Sequence, residues 1–156
     1  MEWRNVLAID PNSKFLAYAV MSSDLKILEK GKQDVEGMTD FLDEAVKRND
    51  VCGIAVEGYA YYGKILNSNH FATIELIGMI RQYCSMRGLV YWKYTRPDVN
   101  RELSRSQNTS EGKMQDVVRV YLGLDENIAP EHVNAAVCVG IVAINRMKTG
   151  YVKSMW

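Results

Sequence analysis

The feature that most constrains the fold of this chain is the order of its hydrophobic patterns. Three short runs of strand-like residues, 6–9, 14–21 and 25–31, follow one another with only brief turn sequences between them. Because short turns join antiparallel neighbours, these runs predict a three-stranded antiparallel meander. Beyond residue 34 the pattern alternates between helical and strand-like spacing, which predicts further strands joined to the same sheet by helical crossovers.

The rest of the chain supplies the helices and two more strands. The predicted helices cover about 34–49, 68–87, 111–122 and 130–145, and the predicted strands cover 51–56 and 89–94. The run at 51–56 is wholly apolar, which favours a buried position in a partly parallel sheet. Arg96-Pro97 begins a stretch predicted to be irregular, with short helical possibilities. The predicted order is β-β-β-α-β-α-β-α-α, a five-stranded mixed α/β sheet flanked by helices, in one domain spanning 1–156.

Composition excludes several classes of protein. Apolar residues make up 47% and charged residues 24% of the 156 residues, which is ordinary globular composition. No run approaches the ~18 apolar residues that a membrane span needs, and the first residues lack a signal-peptide pattern. Cys52, Cys84 and Cys138 lie far apart among apolar residues, so we expect reduced thiols and a cytoplasmic protein.

Charge is balanced over the whole chain but not along it. The 19 Lys and Arg match the 19 Asp and Glu, which taken alone argues against a nucleic-acid partner. From Arg81 to Leu122, however, eight basic residues stand against four acidic ones. Such a local excess can build a positive face on a neutral protein. The candidate phosphate contacts are Lys14, Lys64, Arg96, Arg101, Arg105, Lys113 and Arg119.

Two carboxylates come at the ends of buried strands. Asp10 follows the first apolar run directly and precedes a Pro11-Asn12-Ser13 turn, and Glu57 ends the run at 51–56. If these strands are neighbours, the two side chains converge at one edge of the sheet. Two carboxylates in one place repel at neutral pH, and a divalent cation is the usual relief.

A third group of polar residues opens the last predicted helix. The N-terminal turn of a helix favours anionic ligands such as phosphate. His132 and Ala135 lie three residues apart in this turn and therefore share a helix face. With its ordinary pKa of about 6.5, a histidine here can serve as a metal ligand or as a general base.

In sequence order, four blocks resemble the RuvC-type Holliday junction resolvases, including bacteriophage versions. They are the Leu7-Ala8-Ile9-Asp10-Pro11-Asn12-Ser13-Lys14 segment, the strand-end Glu57, Lys113 at the start of a helix, and the last helix. The resemblance covers nearly the whole chain and implies the ribonuclease H-like fold. It also implies a homodimeric endonuclease that nicks two symmetry-related strands of a four-way DNA junction. The implied cofactors are two Mg²⁺ or Mn²⁺ ions in each active site, with no organic cofactor and no membrane partner.

The resemblance also assigns residues to the metal site. Asp10 and Glu57 match the acidic ligands of the first and fourth strands, and His132 matches the first ligand of the last helix. Ala135 then falls where the family carries its final Asp, although alanine has no ligand atom. The resemblance therefore implies either an inactivated variant at position 135 or a member that works with fewer ligands.

A second register of the last helix stays open. Shifting the match by one residue pairs Glu131 with Asn134, whose amide oxygen is a neutral ligand. This register fits less well the alternation of small and large residues that follows in the family. Lys113 is the candidate contact to the scissile phosphate and its transition state.

The remaining matches concern DNA and dimer contacts. The loop after Glu57 is where the family places an aromatic residue near the crossover, and here Tyr61 and Tyr62 are candidates for stacking on an unpaired base. The helix at 68–87 has apolar residues on more than one face, as expected of a central or subunit-covered helix. The candidate dimer contacts are Phe71, Ile74 and Ile77.

Two other functions remain open at this stage. One is a different ribonuclease H-like nuclease that acts on structured RNA. The other is a junction-binding protein that does not cut, which an alanine at position 135 would permit.

Overall fold

The computed structural model describes residues 4–61, 63 and 65–150. The strands are β1 (Asn5–Pro11), β2 (Phe15–Met21), β3 (Ile27–Asp34), β4 (Val51–Gly58) and β5 (Val90–Thr95). The helices are α1 (Met38–Arg48), α2 (Ser68–Arg87), α3 (Arg96–Ser104), α4 (Glu111–Leu122) and α5 (Glu131–Lys148). Within the described residues, the strands form one sheet in the order β3-β2-β1-β4-β5.

The sheet confirms the predicted fold class. β2 runs antiparallel to both β1 and β3, so the first three strands form the expected meander. β4 lies parallel beside β1, and β5 lies parallel beside β4. The central strand of the sheet is therefore β1, and its carboxyl end lies at the same edge as the carboxyl ends of β4 and β5.

Two of the predicted boundaries were wrong. The stretch after β5, predicted to be irregular, contains the regular helix α3, with Pro97 in its first turn, where a missing N–H is tolerated. The helix predicted from residue 34 begins only at Met38. β3 extends to Asp34 because that residue pairs with Phe15 of β2, and Gly37 adopts the left-handed conformation (φ 82°) just before the helix.

The side chains of β1 alternate between the two faces of the sheet. Leu7 and Ile9 belong to the apolar cluster that also includes residues of α1 and α2. Because side chains alternate along a strand, Ala8 and Asp10 point to the opposite face, which α5 covers. This alternation carries Asp10 to the side of the sheet on which α5 begins.

Small residues allow α5 to lie very close to the sheet. The strand residues on this face include Ala8, Ala17, Ala19 and Ala55, all fully buried. A Cβ added to Gly140 of α5 would lie 2.7 Å from Met21 Sδ and 3.1 Å from Ala8 Cβ. The glycine therefore sits where helix and sheet approach most tightly.

The apolar residues that are exposed on α2 differ in part from the predicted dimer contacts. Phe71 and Ile74, two of the predicted dimer contacts, are 54% and 39% exposed. Ile77 is only 7% exposed and packs in the core, so it is not available to a second subunit. Met79, which was not among the predicted dimer contacts, is 55% exposed. A helix that is apolar on several faces does not reveal which row meets the sheet.

The structure also describes the pairing of the cysteines and the apolarity of the helices. Cys52, Cys84 and Cys138 are free thiols, and the last two are buried. In the described part of the chain, no helix combines the length and the apolarity needed to cross a membrane.

The close approach of α5 predicts the effect of enlarging Gly140. Gly140→Val should lower the free energy of unfolding by about 1–3 kcal/mol, since the added atoms overpack a tight contact. Gly112→Ala is the matched control, because a Cβ there meets nothing within 4 Å. It should leave stability unchanged or raise it by up to about 1 kcal/mol. Urea unfolding measures both, and equal stability of the two variants would contradict the close approach.

Candidate active site

Three polar side chains meet where β1, β4 and β5 end. The parallel register pairs Ile9 with Val56, so the next residues, Asp10 and Glu57, lie side by side. Arg96 follows the last residue of β5 directly. The side chains of Asp10 and Glu57 are both only 10% exposed. The predicted convergence of the two carboxylates thus occurs in the structure.

Burial makes this pair electrostatically costly. The carboxyl groups of Asp10 and Glu57 lie close enough for each to affect the other's ionisation. Burial, followed by the charge of Asp10, raises the pKa of Glu57 to about 8. The pair therefore favours a proton or a cation at neutral pH.

Arg96 supplies a positive charge to the pair. Its Nε donates to Glu57 Oε1 at 2.7 Å and its Nη2 to Glu57 Oε2 at 3.3 Å. Its Nη1 donates to Glu111 Oε1 at 2.6 Å. The sequence suggested Arg96 only as a phosphate contact. The signal for this second role was available, because Arg96 comes at the carboxyl end of a predicted strand, as Asp10 and Glu57 do.

His132 reaches the site from the first turn of α5. Its Nδ1 donates to Asp10 Oδ2 at 2.9 Å, which leaves Nε2 outside this hydrogen bond. The Phe15 ring meets the imidazole edge to face, with ring centroids 5.4 Å apart. The hydrogen bond to Asp10 is the main cause that raises the pKa of His132 above its usual value.

A second carboxyl pair flanks the first. Glu111, at the start of α4, and Glu131, at the start of α5, lie close enough to interact directly. This contact raises the pKa of Glu131 and lowers that of Glu111. Glu111 was missed by the sequence reasoning, although it lies only two residues before Lys113.

Ala135 lines a small cavity, here called the inner cavity, of about 30 Å³. Glu57, Arg96, Asn134 and Cys138 also line it. Asn134 is 3% exposed, and its Oδ1 has no hydrogen-bond partner among the described residues. An amide oxygen buried without a partner costs about 1–3 kcal/mol.

An open cleft lies on the other side of Glu57. It has a volume of about 250 Å³, and its lining includes Asp10, Glu57, Tyr59, Thr73 and Arg96. Glu57 and Arg96 line both the cleft and the inner cavity. The cleft gives a ligand direct access to the carboxylate pair.

The donor set fits a hard divalent cation. Asp10 and Glu57 offer carboxylate oxygens, which Mg²⁺ and Mn²⁺ prefer, and a cation would relieve the repulsion between them. Over the ranges that the structure describes, no three His, Cys, Asp and Glu side chains stand together as a complete metal site. A cation here therefore needs further ligands besides these residue types, from water, substrate or an amide oxygen.

The predicted phosphate contacts on α3 and α4 differ in their surroundings. Arg101 pairs with an acid one turn earlier in α3 at 3.4 Å, and Arg119 donates to Asn127 Oδ1 at 3.0 Å. Arg105 and Lys113 are exposed. Neither makes an ion pair within the described residues, so both are open to an anionic ligand.

The structure describes only some of the predicted DNA contacts near the edge of the sheet. Lys14 is exposed in the turn between β1 and β2. Tyr61 is 67% exposed in the loop that follows β4. Tyr62 and Lys64 lie outside the described residues.

Comparisons with known proteins agree with this architecture. No protein-family profile matches the chain. The crossover junction endodeoxyribonuclease RuvC of Wolinella succinogenes is 25% identical, over 94% of this chain and 97% of its own length. The structure of Thermus thermophilus RuvC superposes with a TM-score of 0.80 at 18% identity, over 94% of this chain and 97% of that one. Its complex with a Holliday junction substrate superposes with a TM-score of 0.77 at 19% identity, with the same coverage. The resemblance to RuvC-type proteins and the ribonuclease H-like fold are thereby confirmed.

The raised pKa of Glu57 predicts a pH dependence of stability. Its pKa rises from 4.5 to about 8 on folding. The folded chain therefore gains stability from protonated Glu57 that is complete below about pH 4.5 and is lost as the pH rises through about 8. In EDTA, Glu57→Gln should flatten the fall in the free energy of unfolding between pH 5 and 8.5.

Glu29→Gln is the control for this measurement. Arg48 lowers the pKa of Glu29, so its contribution changes only below about pH 4.5. Urea titrations at several pH values would separate the two variants. Parallel curves for the unaltered chain and Glu57→Gln would contradict the raised pKa.

Proposed function

We propose that this chain is a crossover-junction endonuclease, which binds four-way DNA as a homodimer and makes paired symmetrical nicks by metal-dependent hydrolysis. The observation that carries the proposal is the contact of two buried carboxylates at the ends of neighbouring parallel strands, completed by His132 from the last helix. The RuvC name of the relatives, and the junction in one of the Thermus structures, support four-way DNA as the substrate. The whole chain, 1–156, would act as one nuclease domain.

Asp10 and Glu57 would hold the catalytic metal. Two Mg²⁺ or Mn²⁺ ions, when bound, supply an activated water and stabilise the leaving 3′ oxygen. Asp10 lies on the central strand and would hold the metal together with Glu57. In the reaction, the water oxygen bonds to phosphorus as the bond from phosphorus to the 3′ oxygen breaks, which leaves 5′-phosphate and 3′-hydroxyl ends.

His132 and Lys113 would act around this centre. The Nδ1 bond of His132 holds the Asp10 carboxylate in orientation, and its Nε2 stays available as a ligand or for proton transfer. Lys113 is exposed at the start of α4 and would contact the scissile phosphate.

The basic residues would bind the DNA backbone. Lys14, Arg101, Arg105 and Arg119 are the proposed phosphate contacts, together with Lys64. Arg96 would join them only after leaving Glu57, since its guanidinium is now engaged there. Tyr61 and Tyr62 are the proposed stacking residues, each worth about 1–3 kcal/mol per base.

Position 135 sets the expected activity of this chain. The family carries an acid where Ala135 stands, so we expect cleavage by the present chain to be weak. Asp10, Glu57 and His132 are the remaining proposed ligands, and restoring the acid is the direct way to recover activity.

The substitution Ala135→Asp tests the proposed function. It should cut a mobile four-way junction at paired symmetrical positions at least about tenfold faster than the present chain. This estimate follows because even outer partners of metal ligands change metal affinity about 10- to 100-fold. The assay uses Mg²⁺ and Mn²⁺, with a matched linear duplex and a structured RNA beside the junction.

Asp10→Asn in the Ala135→Asp background is the control. It should retain preference for the junction over the duplex in a gel-shift assay but lose cleavage. If neither the unaltered chain nor Ala135→Asp binds the junction more tightly than the duplex, the proposed substrate is wrong. If the RNA is cut in preference, the chain is a different ribonuclease H-like nuclease. Junction binding without cutting by Ala135→Asp would favour a non-cleaving junction binder.

The exposed apolar row of α2 would form the homodimer interface. Phe71, Ile74 and Met79 are between 39% and 55% exposed on this helix. Large apolar side chains exposed along one helix are typical of a surface covered by another subunit. A two-fold dimer would place two sites on a junction that has two-fold symmetry.

Phe71→Glu tests this interface. A glutamate buried without a partner opposes association, so the variant should sediment as a monomer at concentrations where the unaltered chain is dimeric. Val120→Glu is the matched control, because Val120 is a 71% exposed apolar residue on α4. A dimer that survives Phe71→Glu, or is lost with Val120→Glu, would place the interface elsewhere.

A further inference from the structure

We infer that Lys32, on the outer strand β3, contacts a phosphate of the DNA backbone next to the phosphate held at the active site. The inference rests on the DNA substrate of the proposed function and deepens it, because none of the phosphate contacts proposed above lies on β3. It is carried by a series of side-chain contacts that leads from Asp10 through His132 and Phe15 to Lys32.

The first step concerns the face to which β3 presents its lysines. In the antiparallel register, Lys32 lies opposite Ala17 and Lys30 lies opposite Ala19. Directly opposed side chains of an antiparallel pair share a face of the sheet. Both alanines belong to the buried cluster that also contains much of α5. Because β3 is an outer strand, the two lysines lie at the border of this covered face, and both are exposed.

The second step concerns the contacts between Lys32 and the active site. The Nζ of Lys32 lies 4.4 Å from the centroid of the Phe15 ring. The same ring meets the imidazole of His132 edge to face, with the ring centroids 5.4 Å apart. His132 is in turn hydrogen-bonded to Asp10. A single aromatic ring therefore separates the ammonium group of Lys32 from the histidine of the proposed site.

The third step concerns charge. The hydrogen bond to Asp10 is the main cause that raises the pKa of His132, and the positive charge of Lys32 acts against this rise. The electrostatic influence of Lys32 therefore extends to the site itself. A positive charge that acts on His132 also attracts an anion bound beside that residue.

The ammonium group of Lys32 is available to such an anion. Lys32 makes no ion pair within the described residues, although the exposed Asp34 lies two residues further along the same face. An ammonium group attracted to an aromatic face is restricted in position, which lowers the entropy lost when it binds a partner. Lysine is a common phosphate ligand because its charge is compact.

DNA is the partner that best fits this surface. Lys14, already a proposed phosphate contact, directly precedes Phe15 in the turn before β2. Lys32 therefore extends a basic surface that begins beside the active site, and a DNA strand presents phosphates at regular intervals to such a surface. Lysines on outer strands also hinder pairing with a second sheet. That role does not require a position over the Phe15 ring.

The experiment measures DNA binding by Lys32→Gln in EDTA. Fluorescence anisotropy of a labelled four-way junction, and of a matched duplex, is followed over a range of KCl concentrations. Loss of one phosphate contact should lower the slope of log affinity against log salt by about 1. At about 0.1 M salt it should weaken binding about five- to tenfold. Lys32→Arg keeps the charge and should retain most of the affinity.

Lys47→Gln is the matched control. Lys47 is exposed on α1, which packs against the opposite face of the sheet. The substitution removes the same charge from the chain, away from the proposed DNA surface. It should leave both the affinity and the salt slope as they are in the unaltered chain.

A second measurement identifies the phosphate. Single phosphates around the crossover are replaced in turn by neutral methylphosphonates. At the phosphate that Lys32 contacts, the replacement should weaken binding by the unaltered chain but not weaken binding by Lys32→Gln further, because the contact is already lost. At the other phosphates, the two changes should be additive.

The outcomes separate this inference from the proposed function, because cleavage plays no part in these measurements. Equal affinities of Lys32→Gln and Lys47→Gln, or additive effects at every phosphate, overturn the inference and leave Lys32 to protect the outer strand. The expected loss with Lys32→Gln, on a junction that Ala135→Asp never cuts, supports the inference and refutes the nuclease. If Ala135→Asp cuts junctions while Lys32→Gln binds them normally, only this inference fails.

Discussion

The site depends on one constraint, the parallel register of β1 against β4. That register sets Asp10 beside Glu57 on the face covered by α5. A slip of one residue would turn one carboxylate to the opposite face, where the apolar residues of α1 and α2 pack. The apolar alternation of both strands opposes such a slip, because it would also turn either Leu7 or Ile54 away from the core in which both now pack. The same pattern that stabilises the sheet therefore holds the two acids in contact.

The other residues of the site compensate the negative charge of Asp10 and Glu57. Asp10 accepts a hydrogen bond from Nδ1 of His132 on α5, and Glu57 accepts one from Nε of Arg96 at the start of α3. His132 reaches Asp10 because α5 lies close to the sheet, over alanines and at Gly140. Packing and electrostatics thus act together, since a bulkier helix contact would hold the histidine away from the carboxylate.

More of the fold than of the side-chain contacts could be predicted from the sequence. Turn chemistry and apolar period identified the meander and the parallel strands, because both depend on neighbours in sequence. The helix α3 was predicted only as a short helical possibility in an irregular stretch, because Arg96-Pro97 is typical of a turn as well as of a helix start. Ile77 was predicted as a dimer contact although it is buried, because apolar residues occur around much of α2. Only packing against the sheet selects the buried row.

By itself, the sequence determined that Asp10 and Glu57 end buried strands and that His132 opens the last helix. It did not determine that Arg96 neutralises Glu57 or that Asn134 keeps an oxygen without a partner. The physical reason is separation along the chain. Asp10 and His132 are 122 residues apart and Glu57 and Arg96 are 39 apart. Local spacing specifies strands, helices and their apolar faces. The partner of a buried polar group is decided only when distant elements meet, because burial and hydrogen bonding are properties of the packed structure.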